Sequence, residues 1–125
     1  MIADTNFLST YHDEREAGVV GPARQFAAAH RKQKVFVTVI TVGEIAVIFP
    51  TDAKARRFLS PYKVLRLTPE IAYVAAAIDR ELINIGQRLG ENDNWIAAFC
   101  RFYSQPLISN DGAFDRVKGL RRLSF

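Results

Sequence analysis

Apolar positions follow one another along the chain in two alternating patterns, short unbroken runs and stripes spaced by three or four residues. Met1 to Ala3 is a short run that predicts an opening strand ending at Asp4, with Thr5-Asn6 placed to cap a helix from about Phe7 to His12. A polar turn holding Gly18 and Gly21 comes next. Pro22 suits a first helical position, and Ala23, Phe26, Ala27 and His30 keep helical spacing up to the basic cluster Arg31-Lys32-Gln33-Lys34. Val35-Phe36-Val37-Thr38 is β-branched, aromatic and apolar on both faces, the pattern of a central parallel strand. A helix carrying Glu44 is expected from Val39 until Pro50 closes it.

The alternation continues to the last residue. Thr51-Asp52 cap a short basic helix with Arg56 and Arg57, ended by Ser60-Pro61, and Val64 to Leu67 predicts the next strand. Thr68-Pro69-Glu70 marks a helix start: a capping hydroxyl, a proline at the first position and an acid at the positive helix end. Its apolar stripe is Ile71, Val74, Ala75, Ile78, Leu82 and Ile85, and Gly86 stops it. A polar loop from Gln87 to Glu91 leads to Asn92-Asp93 and a packed helix through Trp95-Ile96-Ala97-Ala98-Phe99-Cys100. Leu107-Ile108-Ser109 predicts a short buried strand, Asn110-Asp111 a turn or helix through Phe114, and Leu120 to Phe125 a final strand. Strands separated by helices need crossover connections, so the expected fold is α/β: a three-layer α/β/α sandwich around a mostly parallel sheet of about five short strands.

Composition narrows the class. A chain of 125 residues is expected to be a single domain, 1–125, around one core. Hydrophobic residues at 49% and charged residues at 24% fit a soluble globule. No apolar run reaches the roughly 18 residues that span a bilayer, so no membrane association is expected. One cysteine cannot form an internal disulfide, and no basic, hydrophobic leader precedes the first strand; a reducing, cytoplasmic setting is the expectation. The formal charge of +4 permits an acidic partner without demanding one.

Particular acids change that picture. Asp4 follows the first strand directly, Asp111 follows Leu107-Ile108-Ser109 after one Asn, Glu44 lies about a turn and a half into the helix after Val35–Thr38, and Asp93 opens a helix. The carboxyl edge of a parallel sheet is where neighbouring loops diverge and ligands bind, so the four acids can share one cleft. Carboxylates brought together repel, and near neutral pH a divalent cation relieves that repulsion. An all-oxygen set without Cys or adjacent His suits Mg²⁺ or Mn²⁺ rather than Zn²⁺. One such ion, or two about 4 Å apart, would activate water against a phosphodiester. Setting these four acids aside leaves seventeen basic against nine acidic residues, an excess of eight. Arg15, Arg24, Arg56, Arg57, Arg88 and Arg101 are among the candidates to contact a phosphate backbone.

Four segments carry a resemblance. Met-Ile-Ala-Asp-Thr-Asn at 1–6, Thr-Val-Gly-Glu-Ile at 41–45, Glu-Asn-Asp-Asn-Trp-Ile-Ala-Ala at 91–98 and Ser-Asn-Asp-Gly-Ala-Phe at 109–114 resemble, in order and over nearly the whole chain, the motifs of PIN-domain nucleases, VapC-type toxins in particular. That resemblance implies a PIN-like fold with Asp4, Glu44, Asp93 and Asp111 as the catalytic, metal-binding quartet. It also implies Mg²⁺- or Mn²⁺-dependent cleavage of single-stranded RNA or the loops of structured RNA, leaving a 5′-phosphate. Thr5, Asn6, Asn92, Ser109 and Asn110 would orient carboxylates or waters, and Asp115 would be a fifth acid or a supporting one. Ser109 stands where the family often has Thr and keeps the hydroxyl. The implied partners are an RNA substrate, a small antitoxin of a type II toxin–antitoxin pair and a second copy in a homodimer.

Taken one at a time, Asp4 and Asp93 read as helix caps and Asp111 as a turn former; their joint order favours a site. Glu44, between apolar neighbours, resists the bland reading because an unpartnered buried carboxylate is costly. His12 and His30 have no acid or second ligand at a useful spacing, Cys100 reads as a small core residue, and Trp95 as packing or a subunit contact. The 31–34 cluster reads as a solvated helix end. Against the nuclease stand a PIN-like module that binds RNA or protein without hydrolysis, and a small-molecule phosphatase. For the latter the chain offers Asp4-Thr5-Asn6 in place of Asp-x-Asp, and no Gly-rich phosphate loop.

Overall fold

None of the apolar runs is long enough to be stable alone; each becomes a strand because another lies beside it. A computed structural model describes residues 1–125. Its strands are β1 (Ile2–Ala3), β2 (Phe36–Thr38), β3 (Lys63–Leu65), β4 (Leu107–Ile108) and β5 (Arg122–Leu123). Its helices are α1 (Thr5–Glu16), α2 (Pro22–Ala29), α3 (Val39–Ala46), α4 (Asp52–Leu59), α5 (Pro69–Asn84) and α6 (Glu91–Tyr103), with a 3₁₀ turn at Gly112–Arg116 before β5. The strands lie in the order β3-β2-β1-β4-β5, and every neighbouring pair is parallel. The α/β sandwich expected from the alternation is the observed fold, with a wholly parallel sheet.

Two cores cover the two faces, as the strand alternation of side chains requires. Ile2 and Leu107 point toward α5 and α6, joining Ile71, Ile78, Ile96 and Phe99. Ala3, Val37 and Ile108 point the other way and pack with Phe7, Leu8 and Ala23 of α1 and α2 and Leu59 of α4. The stripe on α5 is buried at Ile71, Ala75, Ile78 and Leu82, whereas Ile85 caps the helix and is exposed.

Several boundaries move for reasons outside the local pattern. The cap of α1 is Asp4 rather than Thr5-Asn6: its Oδ1 accepts the Phe7 N–H at 2.7 Å, so the helix starts two residues early. It runs on to Glu16 because Glu14, buried, folds its carboxylate onto the start of α2 and accepts from Gly21, Ala23 and Arg24 N–H at 3.2, 3.1 and 2.8 Å. Gly21 has no side chain with which to cap α2 itself, and Glu14 supplies the missing acceptor. β3 lies at Lys63–Leu65, in register with Phe36–Thr38 of β2, which leaves Leu67 outside the sheet and exposed. α6 begins at Glu91, so Asn92 and Asp93 lie inside its first turn rather than before it.

The strand order also fixes where a ligand can enter. From β1 the chain moves to β2 on one side, then returns by α5 and α6 to place β4 on the other, so the order reverses at β1. The loops at the carboxyl ends of β1, β2 and β4 therefore diverge around a crevice centred on β1.

Candidate active site

Asp4 is the residue immediately after β1, at the middle of that crevice, and it is 4% exposed. Asp111 stands three residues after β4 and caps the 3₁₀ turn, its Oδ1 accepting the Ala113 N–H at 2.9 Å while its own N–H donates to Ser109 Oγ at 3.0 Å. Glu44 reaches the crevice from α3, whose first turn Thr38 caps directly after β2. One Glu44 oxygen accepts from the Thr5 hydroxyl at 2.6 Å and the other from the Asn92 side-chain amide at 3.4 Å. Those bonds are the partners that a carboxylate in so apolar a segment needs. Asp93 sits in the first turn of α6, where the unpaired N–H groups and the positive end of the helix favour an anion.

The four acids share one electrostatic environment. Burial pushes the Asp4 carboxyl above its ordinary value; the Ser109 hydroxyl and Phe7 N–H pull it back, and the negative charges of Asp93 and Asp111 raise it again. Asp93 is also raised, first by burial and then by Asp111 and Glu44. None of the four is in a salt bridge, whereas Asp79, Glu81 and Asp115 each hold an arginine. A shallow hollow of about 400 Å³ opens beside Glu44, Asn92 and Asp93, with no hydrophobic residue in its wall; Asp4 and Asp111 are not part of that wall, so the expected single cleft for all four acids is open only at Glu44 and Asp93.

A family model for the PIN domain matches residues 1–120 of the chain. The chain belongs to the PIN domain family. Solved structures with the same fold include VapBC2 from Rickettsia felis bound to a DNA fragment from its promoter, with a TM-score of 0.81 at 16% identity over 98% of this chain and 96% of that one. VapBC-1 from nontypeable Haemophilus influenzae gives 0.80 at 20% identity, again over 98% and 96%. DNA-bound VapBC from Salmonella typhimurium gives 0.77 at 21% identity over the same shares. No curated protein matches the chain by sequence. At such identities the structures speak for the fold, and the family places the chain among nucleases.

Within this PIN domain the supporting residues divide. Thr5 and Asn92 bond to Glu44, and Ser109, fully buried, bonds to Asp111 and lies beside Asp4. Asn6 is exposed at the start of α1. Asn110 turns away: its amide donates to the Phe125 backbone oxygen at 2.9 Å and its carbonyl accepts the Phe125 N–H at 2.8 Å. Asp115 is exposed and held by Arg122 through two bonds of 2.9 Å, which keep its carboxyl below the ordinary value. Arg88 and Arg101 are likewise engaged in paired bonds, with Asp79 and Glu81, which leaves their guanidinium faces less free for a phosphate. His12 stacks edge-on against Phe49 and Phe58 and, contrary to the expectation from sequence, has acids in reach, Asp13 Oδ1 at 3.4 Å from Nδ1 and, because i and i+4 share a helix face, Glu16 Oε1 at 4.0 Å from Nε2. His30 stacks on Phe26, and neither ring faces the crevice acids. Trp95 packs against the α5–α6 core and Cys100 lies within it.

The residues missed by sequence reading are Glu14 and Arg122. Glu14 looks like one more acid in the polar end of α1, and the Gly21-Pro22 helix start with no capping side chain was the available signal that an acceptor had to come from elsewhere. Arg122 had no comparable local signal.

No group of three or more carboxylate, histidine or cysteine side chains is placed to hold a metal ion together. The donor chemistry nonetheless fits a hard cation. Mg²⁺ is held by one or two carboxylates with several waters rather than by an all-protein cage, and unpaired, mutually repelling oxygens are its preferred partners.

Proposed function

We propose that this PIN domain is a Mg²⁺- or Mn²⁺-dependent endoribonuclease that cuts single-stranded or loop regions of structured RNA, acting as the toxin of a type II toxin–antitoxin pair. The observation that carries the reading is the convergence of four unpaired acids at the sheet's reversal point, two of them held above their ordinary values partly by one another. A set that disfavours its own ionisation is poised to gain from a cation. One or two of Asp4, Glu44, Asp93 and Asp111, completed by waters, would hold it. The ion, when bound, supplies a water of lowered pKa and stabilises charge on the phosphate.

The chain's own groups do the remaining work. Thr5 and Asn92 fix the Glu44 carboxylate by one oxygen each, so it faces the crevice in a single orientation. Capping engages only Oδ1 of Asp4 and of Asp111, and a carboxylate has about four lone-pair directions, so capping and ligation are compatible. Glu44 is near enough to Asp93 to raise it and stands ready to orient the attacking water. The excess of eight positive charges outside the quartet favours a polyanionic substrate.

The antitoxin partner is supported by the neighbouring folds having been solved as VapBC complexes, and a homodimer remains part of the same reading. Purified protein with Mg²⁺ or Mn²⁺ is expected to cut a structured RNA, and EDTA, Asp4→Asn or Asp93→Asn to abolish cutting. Equal cutting by the variants rejects the proposal. RNA binding with no Mn²⁺ uptake by calorimetry would mark a PIN domain that only binds.

A further inference from the structure

The Asp111 turn is tied on both sides by the last strand. Arg122 of β5 donates Nε and Nη2 to the two oxygens of Asp115 at 2.9 Å each and Nη1 to the Ser109 carbonyl at 3.2 Å. The Ser109 N–H donates in turn to the Leu123 carbonyl at 3.0 Å, and Asn110 pairs in both directions with the Phe125 backbone. Residues 109, 110 and 115 are thus all held by 122–125. Asp111, in their midst, makes no hydrogen bond to that segment: its bonds are to Ser109 Oγ and Ala113 N–H, and its charge is felt by Asp4, Asp93 and, at longer range, Arg122.

We propose that Arg122 is a positioning residue, clamping the Ser109–Asp115 turn through Asp115 and the Ser109 carbonyl so that the Asp111 carboxylate is presented to the acid cluster, and that Asp115 is committed to this clamp rather than to metal. This rests on the metal-dependent reading given above. Asp115 is exposed and Arg122 is half-buried, and a pair open to solvent on one side has a typical worth of about 0–1 kcal/mol, a small contribution to stability. Its two-pronged geometry does something else. A guanidinium fork fixes the direction of a carboxylate and bonds a carbonyl at the same time, which an ammonium cannot reproduce.

The test uses Arg122→Ala, Arg122→Lys, Asp115→Asn and the double variant Arg122→Ala/Asp115→Asn, each compared with the unmodified chain. In the metal-free protein, amide hydrogen exchange at Asp111 and Ala113 is expected to quicken at least tenfold in every variant. Mn²⁺ binding by calorimetry is expected to weaken by about tenfold, the usual effect of losing a group that orients a ligand. Melting temperatures should stay close to that of the unmodified protein, lysine should fail to rescue, and the double variant should be no worse than either single one. If Asp115 were instead a metal ligand, Asp115→Asn would weaken Mn²⁺ while Arg122→Ala would not, and the clamp would be overturned. Unchanged exchange and unchanged Mn²⁺ binding in Arg122→Ala would overturn it equally. Should the unmodified chain take up no Mn²⁺, the metal-dependent reading fails, and the exchange arm alone still decides whether the clamp exists.

Discussion

Replacing Asp4 by Asn is expected to make the metal-free protein more stable while abolishing its nuclease activity. Asp4 is 4% exposed, carries no salt bridge, and is raised above its ordinary value of 3.8 by burial and by Asp93 and Asp111. Between 3.8 and that raised value the folded chain binds more protons at Asp4 than the unfolded chain does, so stability falls as pH rises through that window. Above it, the full penalty of holding the charge is in force. Like charges at a reach of ~6 Å interact by roughly 0.7 kcal/mol at the dielectric of water and about 3 kcal/mol at an effective value of ~20. Asp4 is buried, but the Phe7 N–H and the Ser109 hydroxyl offset part of the repulsion, and a gain of about 1–3 kcal/mol is expected for Asp4→Asn at pH 7. Asn keeps the cap on Phe7 N–H, since it is as good an N-cap as Asp. For a chain of this size the gain corresponds to roughly 4–12 °C in melting temperature. The assay is thermal unfolding in EDTA from pH 4 to pH 8. The unmodified protein should lose stability across the lower part of that range more steeply than Asp4→Asn. Saturating Mn²⁺ should close the gap, since ligand at ~100 times its dissociation constant adds about 2.7 kcal/mol. An Asp4→Asn protein that melts at or below the unmodified one at pH 7, or that shows the same pH slope, would refute the reasoning.

Two further predictions concern parts of the fold away from the crevice. Glu14→Ala removes the acceptor for three backbone N–H groups at the start of α2 and is expected to cost about 2–4 kcal/mol, read by urea unfolding; Gly21→Ala, whose added Cβ would meet the Glu14 carboxylate, should destabilise in the same sense. The Cys100 thiol is pushed up to about 12 by burial, so iodoacetamide at pH 8 should leave it unmodified in the native state and label it fully in urea.

Much of this protein could be read along its sequence. The stripe Ile71, Ala75, Ile78 and Leu82 and the start signal Thr68-Pro69 are local, and α5 begins at Pro69 with Thr68 as its cap. The unbroken Val35–Thr38 run placed β2 in the interior of the sheet, because only a strand flanked on both edges and covered on both faces tolerates apolar side chains on each side. The placement of three acids was legible too, Asp4 and Asp111 just beyond strands and Asp93 in the first turn of a helix, whereas Glu44 lies late in α3 and is brought toward Asp93 only by the packing of that helix.

Other features were set by contacts between residues far apart in the chain. β3 took Lys63–Leu65 because β2 offered its register there, and α1 reached Glu16 because Glu14 found an uncapped helix seven to ten residues later. Asn110 and Asp115 stand among the candidate site residues in sequence as Asn92 and Asp93 do, yet Phe125 and Arg122 hold the first two away from the crevice while the first turn of α6 brings the second two toward Glu44. Periodicity fixes which face of an element is buried, and so sequence alone determined the elements, their layering and the edge at which the acids gather. Where a polar side chain points depends on which donor or acceptor the completed fold puts within about 3 Å of it, and only the tertiary structure decided that.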